Sequence, residues 1–323
     1  MDRARASAVG QGALWDRLTG DRRRYIGLEF QWGVESLSDV ILEACGLVYN
    51  YDREVCALRG LDLAARRGRK LAVLGANGAG KSTLFLHLNG TLRPEMGEIR
   101  INGQLAGYRR RELLEWRRRI GLVFQNPDDQ LFAPTVEQDI SFGPMNLGLD
   151  KEEVYRRVDE SLQAMDIEEL RGRPVHSLSF GQKKRAAIAG IVAMRPEVLI
   201  LDEPSAGLDP RGVESLLAVL EERHRAGTTL IMATHDVDLA CAWADEVAVL
   251  RAGRVEKQGS VEEVLSDPHL MRSSDLRAPL VFEVAARLMT RGYLPDRGAL
   301  PHTREALLEL LDLAAPRLVD NNR

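Results

Sequence analysis

The chain has 323 residues, 45% of them hydrophobic, with a net charge of −4 and a pI of about 6.0. That is enough for one large domain with a core plus a smaller appendage, and it lacks the basic surplus of a nucleic-acid binder. No apolar run approaches the ~18–20 residues that cross a bilayer; the longest, 186–194, is bounded by Arg185 and Arg195, so any membrane role has to come from a partner.

Residues 1–36 are rich in Arg, Gly and Ser, include Arg22, Arg23 and Arg24, and show no period. They lack the continuous apolar stretch of a signal peptide and read as a disordered leader or as a translation start placed too far upstream. From about residue 40 the pattern becomes α/β, and Ser38 to Glu43 reads as the opening of a first strand. Cys45, Cys56 and Cys241 form no close pair and no metal-ligand spacing; they read as small buried hydrophobes in a reducing compartment. Lys70 to Gly75 is a short apolar strand, followed by a Gly-rich turn and a helix from Gly80. Glu98 to Ile101 with Asn102 and Gly103 predicts a hairpin edge. Arg109–Arg111 and Arg117–Arg119 read as solvated faces of one short helix. The runs 120–124, 198–202, 230–234 and 246–250 are apolar without alternation, which predicts a parallel sheet covered on both faces. Between them, 127–175 is mostly helical. There Asp150, with Glu153 three residues on, has the spacing of a capping box for a helix running towards Met165. Glu221, Glu222, Arg223 and Arg225 are ordinary helix-surface charges. Beyond Asp267 and Pro268 a tail shows helical spacing at Leu307, Leu308, Leu310 and Leu311. His87, His176, His224, His269 and His302 are scattered without metal spacing and read as packing or surface residues.

Gly75 to Thr83 spells GANGAGKST, which fits G-x-x-x-x-G-K-[ST] between a strand and a helix. Gly75, Gly78 and Gly80 leave room for backbone N–H groups, including that of Asn77, to turn towards phosphates. The helix opening at Gly80 aims its positive end at the same anion. Lys81 supplies a point charge, and the hydroxyl of Ser82, beside Thr83, is placed to ligate Mg²⁺. By chance the pattern arises about once in a hundred such chains, and the strand–helix context makes coincidence rarer still. The strand 198–202 then delivers Asp202 and Glu203 to its C-terminal end, where ligands bind in open α/β sheets. Asp202 is the expected Mg²⁺ carboxylate and Glu203 the group acting on the attacking water of a bound ATP.

Leu178 to Gln182 (LSFGQ) resembles the signature motif of the ABC ATPases, whose commonest form is LSGGQ. Other markers of that family stand in order: Gln125 ends a strand like the Q-loop glutamine, Ala206 to Asp209 resembles the D-loop, and His235 resembles the switch histidine. Tyr51, thirty residues before Lys81, resembles the aromatic on which adenine stacks, with Tyr49 as fallback. The resemblance covers about 40–265. It implies a P-loop ATPase core with a mainly parallel sheet, an antiparallel β subdomain, an inserted helical subdomain at about 127–195 and a short helical C-terminal tail. The ATPase domain is then 37–267 and the tail 268–323. It further implies catalytic roles for Glu203, His235 and Gln125, with Gln125 also on the Mg²⁺ side. It implies nucleotide contacts from Ser179, Gly181, Gln182 and Asp209, made across a head-to-tail ATPase dimer that is a homodimer or a pairing with a paralogue. Phe180 stands where the signature has its first glycine, and a side chain there is expected to point away from the phosphate.

The stretch from Phe124 to Gly148 resembles the energy-coupling factor (ECF) importers, the cobalt- and nickel-uptake ATPases most of all, as do Lys183 to Arg185 and Leu276 to Val281. The resemblance implies an integral membrane coupling subunit, a substrate-binding membrane component and a peripheral place on the cytoplasmic face. It favours cobalt or nickel as cargo, with a vitamin such as biotin as the alternative. One phosphate loop and no sustained heptads argue against the ABC ATPases of DNA repair or translation. Asn126 to Phe132 is expected to line the partner's docking groove, Asp128 or Asp129 meeting a basic residue; the competing reading has Leu131 and Phe132 filling the local core.

Overall fold

The apolar runs 120–124, 198–202, 230–234 and 246–250 become strands, and their order explains why they carry no alternation. A computed structural model of the chain describes residues 39–52, 55–294 and 300–319; the leader expected at 1–36 lies outside them. The strands are β1 (Val40–Asp52), β2 (Val55–Arg66), β3 (Lys70–Leu74), β4 (Met96–Ile101), β5 (Gln104–Leu105), β6 (Ile120–Val123), β7 (Val198–Asp202), β8 (Thr229–Ala233), β9 (Glu246–Arg251) and β10 (Arg254–Ser260). Strands β9, β3, β8, β7 and β6 lie side by side and parallel, and β10 adds an antiparallel edge. Both faces are buried. Leu71, Val73, Val198, Ile200, Ile231 and Ala248 pack into one core, while Ala72, Leu74, Leu199, Leu201, Met232 and Val247 pack into the other. The strand interiors are therefore apolar at successive positions, as a covered parallel sheet demands, and polar residues stand only at the strand ends.

The first core is closed by an antiparallel sheet of order β2-β1-β4-β5 and by helix α1 (Lys81–Leu88). The exposed helix α2 (Arg110–Arg119) carries the two arginine runs as expected and buries Trp116 alone. The second core runs into the helical insertion: α3 (Val136–Asn146), α4 (Lys151–Ala164) and α5 (Phe180–Val192) meet through Ile140, Val158, Leu162, Ile188 and Val192. The capping box expected at α4 is half made. Asp150 accepts from the Glu153 N–H at 2.8 Å, but the Glu153 carboxylate turns to Arg156 and Arg157 instead of reaching back. A charged pair one turn along outcompetes a neutral backbone donor.

Helices α6 (Pro210–Arg225) and α7 (Val237–Trp243) follow β7 and β8. The C-terminal segment holds α8 (Val261–Leu265), α9 (Pro268–Ser273), α10 (Leu280–Thr290) and α11 (Arg304–Val319). Leu270, Met271 and Phe282 join the second core, so the start of the tail is part of the main packing. Cys241 is buried, whereas Cys45 and Cys56 are only half-buried. Burial pushes the Cys241 thiol up to about 12 and that of Cys45 to about 11. Among the described residues no helix is long and apolar enough to cross a membrane.

Candidate nucleotide site

The loop between β3 and α1 is shaped by close approach. A Cβ on Gly75 would lie 2.4 Å from the Leu250 carbonyl oxygen of β9, so glycine here serves the sheet as well as a ligand. Helix α1 begins at Gly80 in the left-handed region with no side-chain cap. Its first N–H groups are left to an anion, the usual way a helix N-terminus receives phosphate. The Lys81 ammonium is buried, donates to the carbonyls of Gly75 (2.7 Å) and Ala76 (3.3 Å), and lies 3.9 Å from Glu203 Oε1.

Two carboxylates converge on it from the end of β7. Asp202 is buried; burial raises its pKa, and a hydrogen bond from Ser82 with the charges of Lys81 and Lys184 opposes that rise. Its Oδ1 is buried with no hydrogen-bond partner, as is Oε1 of Glu203. An unpartnered buried carboxylate oxygen is costly, and two of them beside a phosphate loop are what a hydrated cation would satisfy. The set fits Mg²⁺, which takes one or two protein oxygens and leaves the rest to phosphate and water. Among the described residues no cluster of three or more His, Cys, Asp or Glu forms a protein-only metal cage. Glu203 adopts φ 46°, in the left-handed region. Its Oε2 accepts from His235 Nδ1 at 2.8 Å, and His235 is 72% exposed. Glu203 is thus gripped on one oxygen by His235, while the other faces Lys81 without a hydrogen bond.

Tyr51 stands over α1, its hydroxyl 3.1 Å from Thr83 Oγ1 and its ring 51% exposed. Tyr49 presents its edge to Tyr51 and to buried His87 (centroids 5.2 and 4.7 Å) and packs on the core, which leaves Tyr51 as the ring open to a base. The structure thus gathers Tyr51, Lys81, Ser82, Thr83, Asp202, Glu203 and His235. The signature residues are organised separately. Ser179 caps α5, accepting from the Gln182 N–H at 3.3 Å, while Gln182 Oε1 accepts from the Ser179 N–H at 3.0 Å. The Gln182 side chain, expected at the nucleotide, closes this cap. Asp209 likewise caps α6 through the Gly212 N–H at 2.7 Å. Neither bond reaches the phosphate loop, and Ser179 and Gly181 make no described contact with it. Phe180 lies over the D-loop: a Cβ on Gly207 (φ 77°) would sit 2.5 Å from its ring.

Gln125 is exposed just past β6, and its carbonyl accepts from Lys184 Nζ at 2.7 Å. Lys184 is fully buried on α5, and burial lowers its ammonium to about 8. The sequence reading treated Lys184 only as part of a family resemblance. The signal was present: Lys184 shares a helical stripe with Ile188 and Val192, four and eight residues on. The expected docking segment divides. Leu131 is buried, Phe132 is 63% exposed and meets Phe142 edge-on at 4.7 Å, and Asp128 pairs with Lys183 at 2.6 Å.

A phosphate loop feeding a helix, paired acids at the end of β7 two strands along the sheet, and a helical insertion ending in the signature helix define an ATP-binding cassette ATPase. The ABC transporter family matches residues 58–206. The chain is 55% identical over 268 residues to the cobalt import ATP-binding protein CbiO of Rhodobacter capsulatus, spanning 83% of this chain and 95% of that one. It is 51% identical to the energy-coupling factor transporter ATP-binding protein EcfA of Methanococcus maripaludis, over 75% of this chain and 87% of that one. The solved structure of cbiO1 from Clostridium perfringens, part of the ABC transporter complex cbiONQ, superposes with TM-score 0.64 at 45% identity, covering 78% and 99%. A dimeric ATP-binding cassette bound to ADP and Pi superposes with TM-score 0.63 at 25% identity, covering 68% and 99%. The chain belongs to the ABC transporter family, in the branch of the ECF-type ATP-binding subunits, and is an ATPase that powers transport.

Proposed function

We propose that this chain hydrolyses MgATP within a head-to-tail dimer at the cytoplasmic face of the membrane and thereby drives uptake of cobalt or nickel ions. The geometry supports the following residue roles. Tyr51 stacks the base, the loop from Gly75 to Thr83 wraps the phosphates, and Lys81 exchanges its loop carbonyls for phosphate oxygens. Ser82 and Asp202 hold Mg²⁺, with Gln125 beside them. Bound Mg²⁺ neutralises charge developing on the phosphate oxygens. Glu203 Oε1 takes the proton of the attacking water while His235 holds Oε2 and so fixes the carboxylate's direction. Ser179 and Gly181 of one protomer cover the γ-phosphate held by the other, because their own loop is out of reach.

The integral membrane coupling subunit has a natural seat on the α3 side. Phe132, Phe142 and Met145 are exposed there, with the Asp129 carboxylate at the rim to set orientation more than affinity. The cargo reading rests on one observation, the similarity to a cobalt import ATP-binding protein along 95% of that protein's length. The test is reconstitution of the chain with its coupling subunit and substrate-binding membrane component in vesicles. ATP-dependent accumulation of labelled Co²⁺ or Ni²⁺ is the expected result. Accumulation of biotin without either metal would replace the cargo and leave the ATPase untouched.

A further inference from the structure

We infer that Lys184 is a positioning residue for hydrolysis, its ammonium fastening the Gln125 peptide to the signature helix so that both move as one body. Lys184 is fully buried. Its Nζ donates to the carbonyls of Gln125 (2.7 Å) and Phe124 (3.1 Å) and reaches that of Asp202 (3.5 Å). Three donors thus meet three backbone acceptors on two strand ends and leave the helix no slack. A methionine would fill the same space without the cost of desolvating a charge, so the cation is explained by what it holds rather than by packing.

A second strap runs the other way. Gln130 Oε1 accepts from the Phe124 N–H at 3.0 Å, and Gln130 Nε2 donates to the Ala187 carbonyl at 2.8 Å. The Lys183–Asp128 pair lies outside at 2.6 Å; Asp128 is exposed, so that bond contributes little. The peptide that Lys184 grips is therefore linked through that ammonium to the Asp202 end of β7 and precedes by a few residues the Phe132–Phe142 patch in the chain. A push on the patch is delivered to Gln125 and, through α5, to Ser179 at the helix start. The ammonium touches no substrate atom; it acts through Gln125. The inference rests on the roles proposed above for Gln125 and Asp202.

The test is a kinetic double-mutant cycle on the full chain, Lys184→Met against Gln125→Ala, with affinity for a non-hydrolysable ATP analogue measured alongside. Lys184→Met is expected to keep that affinity within about 2-fold and to lower kcat by about 10-fold with KM little changed, the loss of bonds to a charged donor. On the Gln125→Ala background the same change is expected to cost less than about 2-fold, because residues that act through one another are not additive. Lys184→Gln, which keeps amide donors one atom shorter, is expected to restore a third or more of kcat. Wild-type kcat in Lys184→Met, an equal loss on both backgrounds, or a parallel loss of affinity and kcat would overturn the inference. If Lys184→Met does not fold, the cycle is run with Lys184→Gln, and a loss that vanishes with Gln125→Ala supports it while any other result overturns it. Unchanged kcat in Gln125→Ala alone would instead sink the role of Gln125, and the inference with it.

Discussion

The two ends of the catalytic edge are built on opposite principles. At the phosphate loop, buried polar atoms lack hydrogen bonds: neither Oδ1 of Asp202 nor Oε1 of Glu203 accepts one, and the first turn of α1 has no side-chain cap. At the Q-loop and signature helix the buried and half-buried polar groups described above are tied. Lys184 and Gln130 strap the loop to α5, and Ser179 and Gln182 cap each other. The first region is shaped to receive charge and the second to carry force. A ligand gains most where hydrogen-bonding capacity is vacant, and motion is transmitted best where none is.

The contrast can be broken most severely at Glu203. Glu203→Gln keeps size and the bond to His235 but cannot take a proton; kcat is expected to fall by about 10²-fold or more with MgATP binding retained, and steady-state turnover with nucleotide titration checks it. Wild-type turnover would remove Glu203 as the base. Next comes the division of labour between protomers. Lys81→Ala should weaken ATP binding by about 10-fold or more, through loss of a charge-assisted contact. Ser179→Arg should leave monomer binding intact and block closure. Mixing the two variants should recover activity through the one composite site that keeps both Lys81 and Ser179; no recovery would argue against the shared site. Tyr51→Ala should cost ATP affinity about 5-fold or more, from lost base stacking, whereas Tyr51→Trp should preserve it. Equal losses in both would move the adenine elsewhere. The smallest effect is structural: Gly207→Ala should destabilise the fold by about 1–2 kcal/mol, through its left-handed backbone and the Phe180 ring. Phe180→Gly should relieve only the steric share, as thermal melting of the double variant would reveal.

The nucleotide region was legible in the sequence because each of its tasks admits few residue types. The strand runs 70–74 and 198–202 were visible for the related reason that a sheet covered on both faces tolerates no polar interruption. The hairpin of β1 and β2 showed only its opening. Charged Glu43, Arg59 and Asp62 break its apolar pattern, and its pairing shifts register at several points, so no period survives. The cap made by the Gln182 side chain was not legible, because a motif does not reveal whether a side chain beside it is also spent on its own helix start. Lys184 stands between Lys183 and Arg185, so its place on the apolar stripe with Ile188 and Val192 is easy to pass over, and its partners, fifty-nine and sixty residues away, are not local. The contact of Phe180 with Gly207 is equally non-local.

Glu203 holds a backbone conformation that costs a residue with a Cβ about 1–2 kcal/mol, and its Oε1 adds the cost of a buried acceptor without a hydrogen bond. Selection for heat resistance and selection for turnover therefore pull in opposite directions at this one position. A library screened only for survival at high temperature is expected to be enriched in Gly and Asn at 203 and, with Glu203 in the proposed role of base, to lose turnover in step.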